Sequence, residues 1–136
     1  MSAVTTPSVL ARRMNRAFLE ARLDELEILI DDKAEIASFL DPEQILRGRD
    51  AIMDASRRAR ETSIFSVTLY TVRSLSATVA LGTGSVRYPR NDAIATSQAA
   101  WLWKWHDGRL LRSVHYPSED EALAHYDPEA DEFELP

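Results

Sequence analysis

Trp101-Leu-Trp-Lys-Trp-His-Asp-Gly-Arg-Leu-Leu-Arg-Ser-Val-His-Tyr116 runs directly into Pro117-Ser-Glu-Asp-Glu-Ala-Leu-Ala-His-Tyr126. Aromatic residues at every second position read as a strand, and Asp107-Gly108 reads as a hairpin turn because both residue types tolerate positive φ. Residues 110–116 give a second strand. Ser118-Glu-Asp-Glu121 is then a capping box, with serine at the N-cap and glutamate three residues on, opening a short C-terminal helix. If the turn is a three-residue loop with Gly108 left-handed, Trp105 pairs near Arg109. Trp101, Trp103 and Trp105 then share one face with Leu111, Ser113 and His115. The opposite face carries Gln98, Ala100, Leu102 and Lys104 beside Leu110, Arg112, Val114 and Tyr116.

Working backwards, residues 63–76, 77–88 and 93–105 are equally rich in Val, Thr, Tyr, Trp and Ile, with a turn at Pro89-Arg-Asn-Asp92. Four strands in succession with short connections require an antiparallel meander. Gly82 and Gly84, two apart in one strand, point to a bend or bulge where the sheet curves. Before residue 63 the period is helical. Thr6-Pro7 reads as an N-cap followed by proline at the first helical position, and Val9, Leu10, Met14, Ala17, Phe18 and Ala21 then fall on one face. Leu26, Leu29 and Ile30 mark a second short helix closed by Asp31-Asp32. Residues 34–40 suggest a short strand ended by Asp41-Pro42, since the residue before proline is pushed out of the helical region. Gly48 opens a third helix to about Glu61, burying Ile52, Ala55 and Ala59.

Composition bounds the function. A chain of 136 residues fits one domain that buries roughly two-thirds of its unfolded surface. We expect a single α+β domain over 1–126 and an acidic tail over 127–136. That tail holds five acidic and no basic residues, and without it the net charge of −6 falls to about −1. It reads as a mobile, solubilising end. A nucleic-acid partner is not expected, because the clusters Arg12/Arg13/Arg16 and Arg57/Arg58/Arg60 fit solvated helix faces better than a basic groove. The absence of cysteine removes disulfides and thiolate chemistry and makes the cytoplasm the default location. Arg12, Arg13 and Arg16 interrupt any signal-like apolar run, and no stretch approaches a membrane span. No metal is expected, since His106, His115 and His125 do not share a facing. No cofactor is expected either: Gly82-Thr-Gly84 lacks the strand-to-helix context of a phosphate loop.

Helices followed by a curved sheet, the Leu23-Asp-Glu-Leu-Glu-Ile helix, Asp41-Pro42, Leu46-Arg-Gly-Arg-Asp-Ala-Ile52, the Trp-x-Trp strand with Asp107-Gly-Arg109, and Tyr116 before Glu121-Ala-Leu123 together resemble the SnoaL-like branch of the nuclear transport factor 2-like superfamily, over residues 7–126. The resemblance implies a cone-shaped fold, with N-terminal helices packed on a strongly curved mixed or antiparallel sheet. It also implies a deep apolar pocket and a homodimer formed through the outer sheet face.

Two residues are candidates for acid–base chemistry. His115 stands beside three tryptophans and its ordinary pKa lies near neutrality; alternatively it is a core histidine satisfied by a hydroxyl such as Ser113 or Tyr70. Asp41 resembles the Asp-Pro base of ketosteroid isomerase-like members, or else is a turn residue. Counting back from Gly48 places Phe39 at that base position instead. The resemblance also marks departures. The tyrosine and protonated aspartate of the ketosteroid isomerase oxyanion hole are replaced here by Phe18 and Trp101, and neither ring is an acid. The water-activating Arg and Asp set of limonene epoxide hydrolases is not apparent on the Trp-Leu-Trp-Lys-Trp strand. Trp101, Trp103, Ser113, Phe18, Phe39 and Tyr70 are the candidate pocket residues for a small, apolar, cyclic ligand. Two functions follow: an isomerase, cyclase or dehydratase working by proton transfer, or a noncatalytic ligand-binding or dimerisation module.

Overall fold

A computed structural model describes residues 6–62 and 66–136. The chain begins with α1 (Pro7–Leu19), α2 (Leu23–Ile28), the hairpin of β1 (Ile30–Ser38) and β2 (Asp41–Arg47), and α3 (Arg49–Thr62). It continues through β3 (Ser66–Ser74), β4 (Val79–Arg90), β5 (Ala93–His106) and β6 (Arg109–Tyr116) to α4 (Glu119–His125) and a small hairpin of β7 (Tyr126–Asp127) and β8 (Glu132–Phe133). Both expected caps form. The Thr6 hydroxyl accepts from the Val9 N–H at 3.4 Å, and the Ser118 hydroxyl accepts from the Glu121 N–H at 3.2 Å, each satisfying a donor that the first helical turn leaves open.

The six-stranded sheet runs β2-β1-β6-β5-β4-β3. From β3 to β6 it is the antiparallel meander the sequence implies, while β1 joins β6 in parallel, so the curved sheet is mixed. Asn91 and Asp92 have φ of 50° and 61°, and Asp107 and Gly108 have 50° and 76°. Both hairpins therefore close through two-residue loops with left-handed central residues, the geometry that matches strand twist. His106 pairs with Arg109, one residue tighter than the expected loop, and a bulge between the Lys104/Arg112 and Trp105/Leu110 pairs restores the parity. Ser113 and His115 consequently sit opposite Trp103 and Trp101. Leu110 takes the place expected for Leu111 beside Trp105, and Leu111 turns outward beside Lys104 and Arg112.

The two glycines of β4 sit where the sheet must close up. A Cβ on Gly82 would collide with the Trp103 indole, and one on Gly84 with the Thr68 carbonyl oxygen of β3. The β3 ladder shifts register at this point, between Leu69 and Thr71, so the expected bulge lies on the neighbouring strand with Tyr70 as its extra residue.

Other expectations are corrected. Residues 41–47 form a strand, not a loop, because β2 lies at the sheet edge, where Pro42 interrupts no second ladder. Asp31 and Asp32 lie within β1, which starts at Ile30, and α2 ends at Ile28. The strand expected to start at Ser63 is described from Ser66; its first three residues lie outside the described range.

Most consequentially, residues 127–136 do not behave as a mobile end. Phe133 is 1% exposed and packs with Leu102, Val114, Tyr116 and Ala122 on the outer face of the sheet. The Asp131 carboxylate accepts from the Thr78 hydroxyl at 2.5 Å and the Tyr126 hydroxyl at 2.6 Å. Lys104 donates to the Asp131 carbonyl at 2.6 Å and Arg112 to the Phe133 carbonyl at 2.7 Å. One buried aromatic and two outward cations thus hold an otherwise acidic segment. The Leu102, Val114 and Tyr116 surface expected to serve a homodimer is covered by the chain's own end. Phe133→Ala should therefore lower stability by about 3–5 kcal/mol in chemical denaturation; an unchanged midpoint would show that the segment is loosely attached.

Candidate functional site

Between α1, α3 and the inner face of the sheet lie two adjoining chambers. The larger, about 720 Å³, is bordered by Ser38, Leu40, Asp41, Gln44, Arg58, Tyr88, Trp101, Ser113 and His115 with an aliphatic wall of Ile36, Leu46, Val67 and Val86. The smaller, about 170 Å³, lies among Met14, Asn15, Phe18, Leu26, Ile52, Leu69, Trp103 and Leu110. Ile36, Val67, Trp101 and Ser113 border both. A largely apolar concavity with a few convergent polar groups is the usual form of a small-molecule site.

The back wall is a stack of three rings. Trp101 and Trp103 lie 6.1 Å apart with planes 6° from parallel, and the His115 imidazole stacks on Trp101 at 5.4 Å and 20°. Strand alternation sets this order: Trp101 and Trp103 are two apart on β5, and His115 is the residue paired with Trp101 on β6. Trp105, the third of the series, belongs to the core and borders neither chamber.

His115 is held neutral. Burial against Trp101 disfavours the imidazolium and pushes its pKa down to about 4. Its Nδ1 lies 3.0 Å from the Ser38 hydroxyl, while Nε2 is buried without a partner among the described residues. Of the two hydroxyls expected to satisfy this ring, neither does so; Ser38 takes the role. No local sequence signal marks Ser38, because it meets His115 through parallel pairing of strands 77 residues apart. Ser113 is only 6% exposed and its hydroxyl has no protein partner among the described residues, which leaves it available to a molecule in either chamber.

Asp41 borders the larger chamber from its exposed rim, one residue after the hairpin turn that follows Ser38. Phe39 turns the other way: it stacks on Tyr116 at 4.9 Å and tilts against His125 at 4.7 Å, in the outer cluster. Contrary to expectation, Phe39 therefore lines neither chamber, and the base position does not fall on it. Tyr70 is likewise outside. As the bulge residue of β3 it is 64% exposed, with its hydroxyl 3.0 Å from that of Ser85 on the outer face. The chambers thus bring together Asp41, His115, Trp101, Trp103, Ser113 and Phe18, and add Ser38, Gln44, Arg58 and Asn15, polar residues of β1, β2, α3 and α1 whose positions gave no sign of a shared destination.

Burial of His115 has a measurable consequence. The unfolded chain takes up a proton near pH 6.5, whereas the buried ring resists until about 4, so between those values the unfolded state binds more protons and acid favours it. Stability should fall as pH is lowered through this window, by at most about 3 kcal/mol from this group. Urea titrations of the wild type and His115→Gln at several pH values would test it; identical pH slopes would show that His115 is not the cause.

No protein-family model and no curated protein matches the chain. Solved structures do match. Bal32a, from a soil-derived mobile gene cassette, superposes with a TM-score of 0.70 at 19% identity, over 84% of this chain and 90% of its own. A nuclear transport factor 2-like protein of unknown function from Cytophaga hutchinsonii gives 0.68 at 10% identity, over 90% of this chain and 99% of its own. An LEH-like epoxide hydrolase from M. tuberculosis gives 0.68 at 12% identity, over 87% and 86%. Similarity at this level of identity is similarity of architecture, and the architecture is shared almost end to end: the chain has the nuclear transport factor 2-like fold.

Proposed function

We propose that this protein binds a small, largely apolar, cyclic molecule between Trp101 and the α1–α3 side of the cavity, and acts on it by proton transfer. The observation that carries this reading is that Asp41 and His115 border one chamber of about 720 Å³ whose remaining wall is mainly aliphatic and aromatic. Their chemistry divides the roles. Neutral His115 is a poor proton acceptor at pH 7, because its pKa sits near 4; it serves as a hydrogen-bonding group for a ligand oxygen. Asp41 is the carboxylate available to take a proton from an acidified C–H, and Ser113 supplies a second polar anchor. Isomerisation, aldol-type cyclisation and dehydration all require this pair of roles, a base at carbon and a donor at oxygen. The resemblance to the SnoaL-like branch and its ketosteroid isomerase-like members supports the same class. The missing oxyanion acids at Phe18 and Trp101 separate the site from the steroid machinery.

The partial occupation of His115 by Ser38 favours a second reading, a ligand-binding module without turnover. In either case a second copy of the chain would meet the part of the outer face that the C-terminal segment leaves open, around Tyr70 and Ile94.

Thermal-shift measurements with a panel of aromatic and terpenoid compounds test binding. A hit at about 100 times its dissociation constant stabilises by roughly 2.7 kcal/mol, and His115→Ala should lose the shift. Asp41→Asn should keep binding while lowering turnover by a factor of about 100 or more. Binding with no conversion in the wild type would decide for the noncatalytic module, and the absence of any shift across the panel would count against both readings.

A further inference from the structure

β1 ends at Ser38, whose backbone is paired with His115 on β6, and the two-residue link Phe39-Leu40 then turns the chain into β2 at Asp41. Two donors and acceptors converge on the Ser38 hydroxyl. The Leu40 N–H donates to its oxygen at 3.1 Å, the local serine-turn bond that closes the link. The His115 Nδ1 lies 3.0 Å away on the other side. A hydroxyl has one proton and two lone pairs, so the direction of the second bond follows from counting. If Nδ1 carried a proton and donated it, the oxygen would accept twice and its own proton would have no protein acceptor, since among the described residues no other bond to this hydroxyl is formed. If the hydroxyl donates to Nδ1, the Leu40 N–H, the hydroxyl and Nδ1 are all paired, and the one group left open is Nε2. The imidazole proton is then on Nε2.

We propose that Ser38 is the positioning residue of this site, fixing His115 as the Nε2–H tautomer so that the ring offers a ligand a hydrogen-bond donor, not a basic nitrogen. The inference rests on the binding reading above for its use, but its geometry is independent of any ligand. Burial keeps the ring neutral at pH 7. Nε2 has no partner among the described residues, and an unsatisfied buried donor costs on the order of a hydrogen bond, so an acceptor that reaches it is favoured. Because that atom is closed to solvent, reaching it takes a small shift of the chamber wall, of the kind side chains commonly make on binding. The same hydroxyl that holds the turn before Asp41 also sets the histidine, so one residue aligns both polar groups of the chamber.

The test is the ring nitrogen spectrum of His115 in uniformly 15N-labelled full-length protein at pH 7, assigned by comparison with His115→Gln. The expected pattern is one neutral tautomer with the proton on Nε2. Ser38→Ala should shift the ring towards the Nδ1–H form or a mixture, and Ser38→Thr, which keeps the hydroxyl, should restore the wild-type pattern. Ser38→Cys, of similar volume but a weak donor, gives the same comparison if the alanine variant does not fold. A wild-type ring that is charged, mixed or protonated on Nδ1 would overturn the proposal. So would a wild-type pattern left unchanged by Ser38→Ala or Ser38→Cys. None of these outcomes bears on whether the cavity binds a ligand, which the thermal shifts decide separately.

Discussion

Everything in the site depends on how β4 makes room for the tryptophans of β5. An indole needs a neighbour that does not compete for the same face, and Gly82, paired with Trp101, leaves the volume that the Trp103 ring occupies. Gly84 does the equivalent for the backbone, letting Thr68 of β3 approach where a Cβ would block it. Curvature, ring stack and cavity follow together: the sheet closes tightly at the glycines and presents two parallel indoles to the inner face. Trp101 also stacks on His115 across the β5–β6 pair, and burial of that ring lowers its affinity for a proton. The packing constraint becomes an electrostatic one.

The opposite face shows a different balance. Tyr116 is fully buried there and its hydroxyl has no hydrogen-bond partner among the described residues; burial raises its pKa, offset only in part by the nearby Arg112 charge. That cost is sustained by the cluster of Leu102, Val114, Tyr116 and Phe133, and by Arg112, which reaches both Glu35 on β1 at 3.6 Å and the Phe133 carbonyl. The outer face thus anchors the C-terminal segment, while the inner face, relieved of that task, keeps unfilled space. The chambers lie between the sheet and the helices, with Met14, Phe18, Leu26 and Ile52 bordering the smaller one.

The sequence made the architecture legible because its strongest signals were periodic. Alternation along Trp101, Trp103 and Trp105, the Asp-Gly turn and the capping box are local patterns, and each is enforced by neighbours a few residues away. The facing of Ser113 and His115 followed even though the hairpin loop is one residue shorter than expected, because the bulge before Trp105 cancels the slip. What stayed hidden depends on contacts distant in the chain. Nothing around Tyr70 announces the bulge that turns it outward, and nothing around Phe39 distinguishes the outer cluster from the cavity. A single Phe133 within an acidic run does not reveal that it is buried, and Ser38 meets His115 only through parallel pairing of β1 with β6. The strand at Asp41-Pro42 was masked by proline, which is tolerated there because the strand is at the edge.

The central claim is that the ring stack forms the wall of a ligand site and is not merely core. Tryptophan fluorescence during titration with an apolar cyclic compound tests it directly, since Trp101 borders both chambers and Trp105 borders neither. The account predicts a saturable change that disappears in Trp101→Phe and persists in Trp105→Phe. A saturable change that survives Trp101→Phe and disappears in Trp105→Phe would contradict it.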